Sequence, residues 1–373
     1  MIRFFTSTLL LCLVSSQLSA QDPSFSQFYA NRVYLNPAFT GLEEGLTLSG
    51  ISRLQWVTLD RGFYTHSLTA EIQEPFLNSG FGLTVVSSSE GLMNFNSTSA
   101  ALSYAYIIPG DNHNVHFGLQ ARWMQRTVDW DRIIFSDELD PIFGPIFQTS
   151  ATPVLERATF WDADFGMVWR FNGSTKRRGN TLWGKSRNHI GLAIHHLPSL
   201  LGDAGGDESL QNLNTYIPPR ITFHAGSLLP LTFLTGVNNE LVISPNLKFD
   251  IQGTNPFNFD QSLKVFTYGA YFLFKGFYFG AFYQNRLPVP EGPKHTNTFI
   301  FSAGAFIRTN ARASDTSQKL FFGVSADLNT TGVGTEAGGT YEAFLRWHFS
   351  QVPAIFGKGD RSRARILDCN SFF

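Results

Sequence analysis

Along most of this chain apolar and polar residues alternate one by one, and that period of two restricts the fold to strands. In the clearest run Trp161, Ala163, Phe165, Met167, Trp169 and Phe171 share one face, opposite Asp162, Asp164, Gly166 and Arg170. A second run sets Val115, Phe117, Leu119, Ala121 and Trp123 against His116, Gly118, Gln120 and Arg122. Successive strand side chains point to opposite sides, so each run has one apolar and one polar face. In a soluble sandwich the apolar faces would form a core. Here Trp and Phe gather at the ends of the apolar rows, as the aromatic girdles of a barrel in lipid do. Charged residues make up only 15% of the chain and aromatic ones also 15%, whereas soluble domains carry about 25% charged residues.

Fourteen such segments fall near residues 45–56, 63–72, 80–88, 96–108, 114–126, 159–171, 189–197, 219–230, 240–251, 261–274, 276–286, 296–308, 319–328 and 339–350. Twelve and sixteen are the neighbouring even counts. Most have about the 9–11 residues of a tilted transmembrane strand, and an even number closes an antiparallel barrel without an edge. The expectation is an all-β chain: one transmembrane antiparallel β-barrel over residues 45–350, with a periplasmic leader at 21–44 and a periplasmic tail at 351–373. Residues 1–20 read as a signal peptide, with Arg3, an apolar stretch from Phe4 to Val14, and small or polar residues from Ser15 to Ala20. That apolar stretch is too short for a spanning helix, which needs about 20 residues. Cys12 sits among leucines rather than in a lipoprotein context, so only Cys369 would remain, without a disulfide framework. The formal net charge of −1 gives no reason to expect nucleic acid.

Connection lengths suggest the orientation. With a periplasmic N-terminus, the long connections 127–158 and 198–218 face outward and the tight Lys275–Gly276 turn faces inward. The exception is 172–188, a long basic inner turn with Lys176, Arg177, Arg178, Lys185 and Arg187. A charge run of that kind is either a solvated turn or a contact for periplasmic partners.

Residues that could carry chemistry are few. Asp162 and Asp164 lie two apart on one strand face and could act as an acid–base pair or bind a cation. The plainer reading is a hydrated lumen, with Arg122, Arg126 or Arg170 as counter-charges. His195 and His196 are adjacent on a strand, so they are expected on opposite faces and could converge on one ion only through a bulge. Acids at the first, third and twelfth positions of Asp129–Asp140 echo a calcium loop. Ile133 and Ile134, however, stand where such a loop needs its fifth ligand and its glycine. No catalytic residues, metal site or cofactor are assigned.

The leader is the most distinctive stretch. Asn36-Pro37 followed by Gly41 reads as a turn, and Phe25, Phe28, Tyr29, Tyr34 and Phe39 require burial. The expectation is that the leader packs inside the periplasmic mouth or against an adjacent component. Its run Tyr34-Leu35-Asn36-Pro37-Ala38-Phe39-Thr40-Gly41 resembles the Y-L-N-P-A-[YF]-[TA]-G element of the PorP/SprF family of Bacteroidota outer-membrane proteins. Arg53-Leu54-Gln55-Trp56 is similar to that family's R-x-Q-W. Asp129-Trp130 and Phe135 to Pro141 resemble its third outer loop. Gly191 to Leu197 and Cys369 to Phe372 are weaker echoes, with Asn370 where a proline is expected.

The resemblance implies a non-enzymatic barrel associated with the type IX secretion system. Its partners would be a secreted, adhesin-like substrate with a type IX C-terminal domain, periplasmic and outer-membrane components of the machine, and the lipid bilayer. Candidate partner-binding residues are Asn36, Pro37, Gly41, Arg53, Gln55, Trp56, Asp129, Trp130, Asp137 and Asp140. The first rival is a channel for small hydrophobic solutes, because a barrel with an N-terminal plug suits one. The second is an outer-membrane enzyme. Neither accounts for the leader and the Arg53–Trp56 motif together.

Overall fold

Fourteen antiparallel strands close into a single barrel in the computed structural model. It describes residues 22–350 apart from 59–61, 92–94, 131–132, 134–136, 141, 150–154, 174–185, 202–215, 232–240, 254–255, 257–261, 288–296, 310–317 and 331–337. The expected signal peptide, the tail with Cys369 and most of the basic 172–188 turn lie outside the described residues.

The strands are β1 Leu46–Gln55, β2 Phe63–Glu74, β3 Ser79–Glu90, β4 Phe95–Pro109, β5 His113–Thr127, β6 Arg157–Asn172 and β7 Arg187–His195. They continue as β8 Arg220–Pro230, β9 Leu241–Gln252, β10 Leu263–Phe274, β11 Phe277–Leu287, β12 Thr298–Thr309, β13 Gln318–Asn329 and β14 Thr340–Phe349. Each pairs with its neighbours in sequence. The seam returns β14 to β1, with Leu46 opposite Phe349 and Gln55 opposite Thr340.

Burial runs opposite to that of a soluble protein. On β6 the buried positions are the even ones, with Asp164 fully enclosed, while Trp161 is 65% exposed. On β5 His116 is buried and Leu119 is 58% exposed. On these strands apolar side chains face outward and the polar face lines the lumen, as the alternation predicts for a barrel in lipid. No helix among the described residues is long and apolar enough to cross a membrane.

The strand ends follow local chemistry. Lys275 (φ 48°) and Gly276 (φ 91°) form the two-residue β10–β11 hairpin, a turn in which two positive-φ residues match the twist of the strands. The turns after even strands include this one and the short 110–112 link, whereas the long connections 128–156 and 196–219 follow odd strands. Long loops face outward in bacterial barrels, which makes the odd-strand ends the outer mouth.

Candidate functional site

The leader runs through the barrel from one mouth to the other. Residues 22–27 bond mainly to positions at the outer mouth, and the Gln27 side chain also accepts from the Tyr278 hydroxyl of β11 at 3.0 Å. Ser26 and Gln27 donate their backbone N–H groups to Glu342 near the start of β14, each at 2.9 Å. The Ser26 hydroxyl bonds to Asp327 near the end of β13. A single helical turn α1 (Arg32–Leu35), whose Tyr34 hydroxyl donates back to Pro23 O at 2.8 Å, and a 3₁₀ turn at Pro37–Phe39 follow within the lumen. At the inner mouth Gly41 donates to Glu71 Oε2 at 2.9 Å, and Glu43 lies 3.4 Å from His348 on β14. The leader therefore spans the whole lumen rather than sitting only in the inner mouth. Its bonds to strands lie more than a hundred residues away in sequence in many cases, so no local pattern encodes its course.

The leader's aromatic residues supply the core that the lumen would otherwise lack. Phe25, Phe28, Tyr29, Leu35, Phe39 and Leu42 are buried in one cluster with Tyr271, Tyr278, Phe282 and Phe344 of the wall. Phe28 packs edge-on to Phe282 at 5.8 Å, and Tyr29 edge-on to His189 at 5.1 Å. Such offset and edge contacts suit the aromatic quadrupole.

The turn of the motif lies directly on the wall. The Asn36 amide Nδ2 donates to the carbonyls of Met167 (3.2 Å) and Leu192 (3.1 Å), and its Oδ1 accepts from Ala38 N at 2.9 Å. Close approach is possible because the wall has no side chain there. A Cβ on Gly166 would come within 2.0 Å of Asn36 Oδ1, and one on Gly118 within 2.2 Å of Ala38 N. These two glycines face each other across the β5–β6 ladder. Gly41 (φ +65°) meets the same limit from the leader side, since a Cβ there would lie 2.5 Å from Gly80 Cα. Pro37 opens the 3₁₀ turn, where its fixed φ fits and its missing N–H costs nothing.

Three groups of buried ion pairs fix the leader, one toward the inner mouth and two toward the outer. Near the inner end Arg32 bonds Glu71 Oε1 at 2.6 Å and Glu43 Oε1 at 3.1 Å, all three side chains at most 5% exposed. Near the outer end Arg53 reaches Asp327 (3.1 Å) and Glu342 (3.3 Å) and also bonds the Ser26 hydroxyl. The third group joins Asp22 to Arg220 at 2.9 Å and to His196 Nε2 at 2.8 Å, while His196 Nδ1 meets Asp162 Oδ2 at 2.6 Å. Arg122 pairs with Asp164 in the same cluster.

The His195–His196 expectation needs correction. Both imidazoles are buried: His195 Nδ1 lies 3.5 Å from Asp164, while the His196 ring bonds Asp162 and Asp22 and its backbone N–H donates to Asp164 at 3.1 Å. His196 has φ +58°, so strand geometry ends at His195, and the chain turns the next side chain inward as well. Strand alternation carries no sign of this, because positive φ is uncommon for any residue other than glycine.

Asp162, Asp164 and His196 place ligand atoms within 4.8 Å of one another, which is the spacing of a metal site. The donors are already committed, though. Both His196 ring nitrogens face carboxylates, which requires an imidazolium, and Arg122 covers Asp164. With Asp22 and Arg220 included, three carboxylates balance three cations. Burial alone would lower the His196 pKa, but Asp22 and Asp162 outweigh it and push it up to about 10. Burial likewise acts against the Asp22 carboxylate, yet His196 and Arg220 hold its pKa well below the usual 3.8. The cluster is an electrostatic fastening for the leader.

The remaining candidate residues separate into two groups. Asn36, Pro37, Gly41 and Arg53 join in the leader–wall contact. Gln55 ends β1 opposite Thr340, and Trp56 (φ 59°) turns the chain there, donating its backbone N–H to Gly339 O at 2.8 Å with its ring edge-on to Phe63. Asp129, Trp130, Asp137 and Asp140 lie apart in the long outer loop. The Trp130 indole donates to Leu155 O at 3.4 Å, and Asp137 accepts from the Thr149 hydroxyl at 3.0 Å. Asp140 Oδ1 accepts from the backbone of Ile142 and Phe143. These carboxylates shape the loop and, among the described residues, do not converge as calcium ligands. Asp131, Phe135 and Ser136 lie outside the described residues. A short ribbon, Leu139–Asp140 with Gly144–Pro145, leaves Ile142 83% and Phe143 73% exposed.

Comparison with solved structures finds other outer-membrane barrels at low identity. The CymD monoaromatic hydrocarbon channel matches at 13% identity and TM-score 0.43, covering 87% of this chain and 94% of that one. A Pseudomonas aeruginosa FadL homologue matches at 11% and 0.40, covering 82% and 90%. Omp33 of Acinetobacter baumannii matches at 11% and 0.38, covering 83% and 99%. No curated protein matches the chain. The profile of the type IX secretion system membrane protein PorP/SprF matches residues 17–347, from before the leader into the last barrel strand, and the chain belongs to that family.

Proposed function

We propose that this outer-membrane barrel is a non-enzymatic anchor that assists export or surface retention of a secreted protein through that protein's C-terminal domain. The observation that carries the reading is the occupied lumen. With its own leader bonded to the wall at both mouths and at mid-height, the barrel offers partners its loops and rims. The outer loop between β5 and β6 is the favoured contact. Its ribbon holds Leu139, Ile142, Phe143, Ile146 and Phe147 outward, and exposed apolar clusters of this kind mark interaction sites. The connection between β7 and β8 is the second contact, although 202–215 lies outside the described residues. Inner turns and the tail would face periplasmic components of the machine.

The test is gentle extraction of the tagged protein from its native membrane, followed by mass spectrometry of what accompanies it. A large secreted protein joined through its C-terminal region is the expected outcome, and Phe143→Ser combined with Ile142→Asp should reduce its recovery at least tenfold. Recovery of periplasmic machine components alone would replace the anchor with a core secretion role. A solitary barrel carrying a small hydrophobic molecule would replace it with transport.

A further inference from the structure

We propose that the amino-terminal end of the leader is displayed at the outer mouth, on the cell surface, although β1 itself begins at the opposite mouth. The bonds made by residues 22–27 set this direction. Asp22 meets Arg220, the first residue of β8, and His196, the residue just after β7. Ser26 meets Asp327, two residues before the end of β13, and Glu342, the third residue of β14. Arg53, two residues before the end of β1, joins the same group. All of these strand ends belong to the mouth that carries the long connections.

The opposite end is equally fixed. Gly41 sits against Gly80 at the start of β3 and bonds Glu71 near the end of β2, and Glu43 faces His348, next to last in β14. Reversing the leader would leave Arg32 without Glu71 and Asp22 without its two cations. Buried charges left unpaired in this way are strongly disfavoured. Direction is therefore fixed by the ion pairs.

At the outer end Ser24 is solvent-exposed. It borders a small cleft with Pro23, Phe25, Tyr34, Arg220 and Lys248. If the barrel holds a secreted partner as proposed above, this floor of the mouth is part of what the partner meets. The topology itself requires only that the long connections face outward.

Single-cysteine labelling on living cells tests the direction. In a background with Cys12 and Cys369 replaced by serine, Ser24→Cys, Leu201→Cys and Asp111→Cys are treated with a membrane-impermeant maleimide before and after permeabilisation. Leu201 lies just beyond β7 and is 75% exposed, whereas Asp111 lies in the exposed β4–β5 turn at the other mouth. Retained heat-modifiability on gels confirms that each variant is folded. The expected result is that Ser24→Cys and Leu201→Cys label on intact cells to the extent seen after permeabilisation, with Asp111→Cys protected until then. Protection of Ser24→Cys while Leu201→Cys labels would overturn the display and leave the anchor reading standing. Labelling of Asp111→Cys with protection of the other two would mean an inverted barrel, overturning both.

Discussion

At the scale of single residues, the carboxylate of Glu71 carries an unusual share of the leader's attachment. It accepts from Arg32 at both Nε (3.0 Å) and Nη2 (2.6 Å) and from the Gly41 backbone. Its removal leaves a guanidinium that is 2% exposed with Glu43 as its remaining carboxylate. Breaking one side of a buried pair costs roughly 3–5 kcal/mol, so Glu71→Ala should lower the urea midpoint by a corresponding amount in detergent or lipid. An effect near zero would mean that the leader is not docked as described. His196 gives a prediction with a pH sign. Its folded pKa of about 10 stands above its ordinary 6.5, so its contribution is fully present below about pH 6.5 and is lost as pH rises through 10. Asp22 has the opposite sign, because its lowered pKa makes its contribution full above about 3.8 and lost on acidification. The outer end of the leader should therefore be held best between these limits. Protease access to residues 22–27 should rise between pH 7 and 10, and His196→Gln should flatten that rise. A profile unchanged by the substitution would remove His196 from the fastening.

At the scale of elements, the leader behaves as an internal strut across the barrel's seam. It bonds β14 through Ser26, Gln27 and Arg346, the last donating to the carbonyls of Tyr29 and Ala30, and β2 through Asn31, Arg32 and Gly41. The β1–β14 pairing joins residues some three hundred positions apart and is the one ladder that no hairpin favours, so closure entropy weighs on it most. A chain lacking residues 22–44 should form less heat-modifiable barrel, and a synthetic peptide of that sequence added during refolding should restore part of the yield. Equal yields with and without the leader would contradict the strut. The strands were legible in the sequence because lipid outside and water inside impose an alternation that each segment carries alone. Lys275-Gly276 was legible for the same local reason. Legible as a turn, Asn36-Pro37 gave no hint of the wall beneath it. Gly118 and Gly166 sit on the polar face as featureless positions until the leader lies on them. Arg53 looked available to a partner because its acidic neighbours lie about three hundred residues away.

At the scale of the whole molecule, the question is whether a barrel of fourteen strands leaves a route through itself. An empty one of this size encloses room for water or solutes, and its polar inner face would admit ions. Here that space is crossed by a leader whose Phe25, Phe28, Tyr29, Val33, Leu35 and Phe39 are each 6% exposed or less. Phe28 and Tyr29 extend to the wall on β11 and β7, and Asn36 to β6 and β7, so the blockage covers several sides of the lumen at different heights. Reconstituted in planar bilayers, the intact chain should show no stable single-channel steps. A variant with Phe28, Tyr29 and Phe39 changed to alanine keeps the polar fastenings at Asp22, Arg32 and Arg53 and removes the filling, so it should conduct while remaining folded. Steady conductance from the intact chain would mean that water passes beside the leader, and the barrel would then have to be read as a channel. Silence from both proteins would place the block in the fastened backbone rather than in the rings.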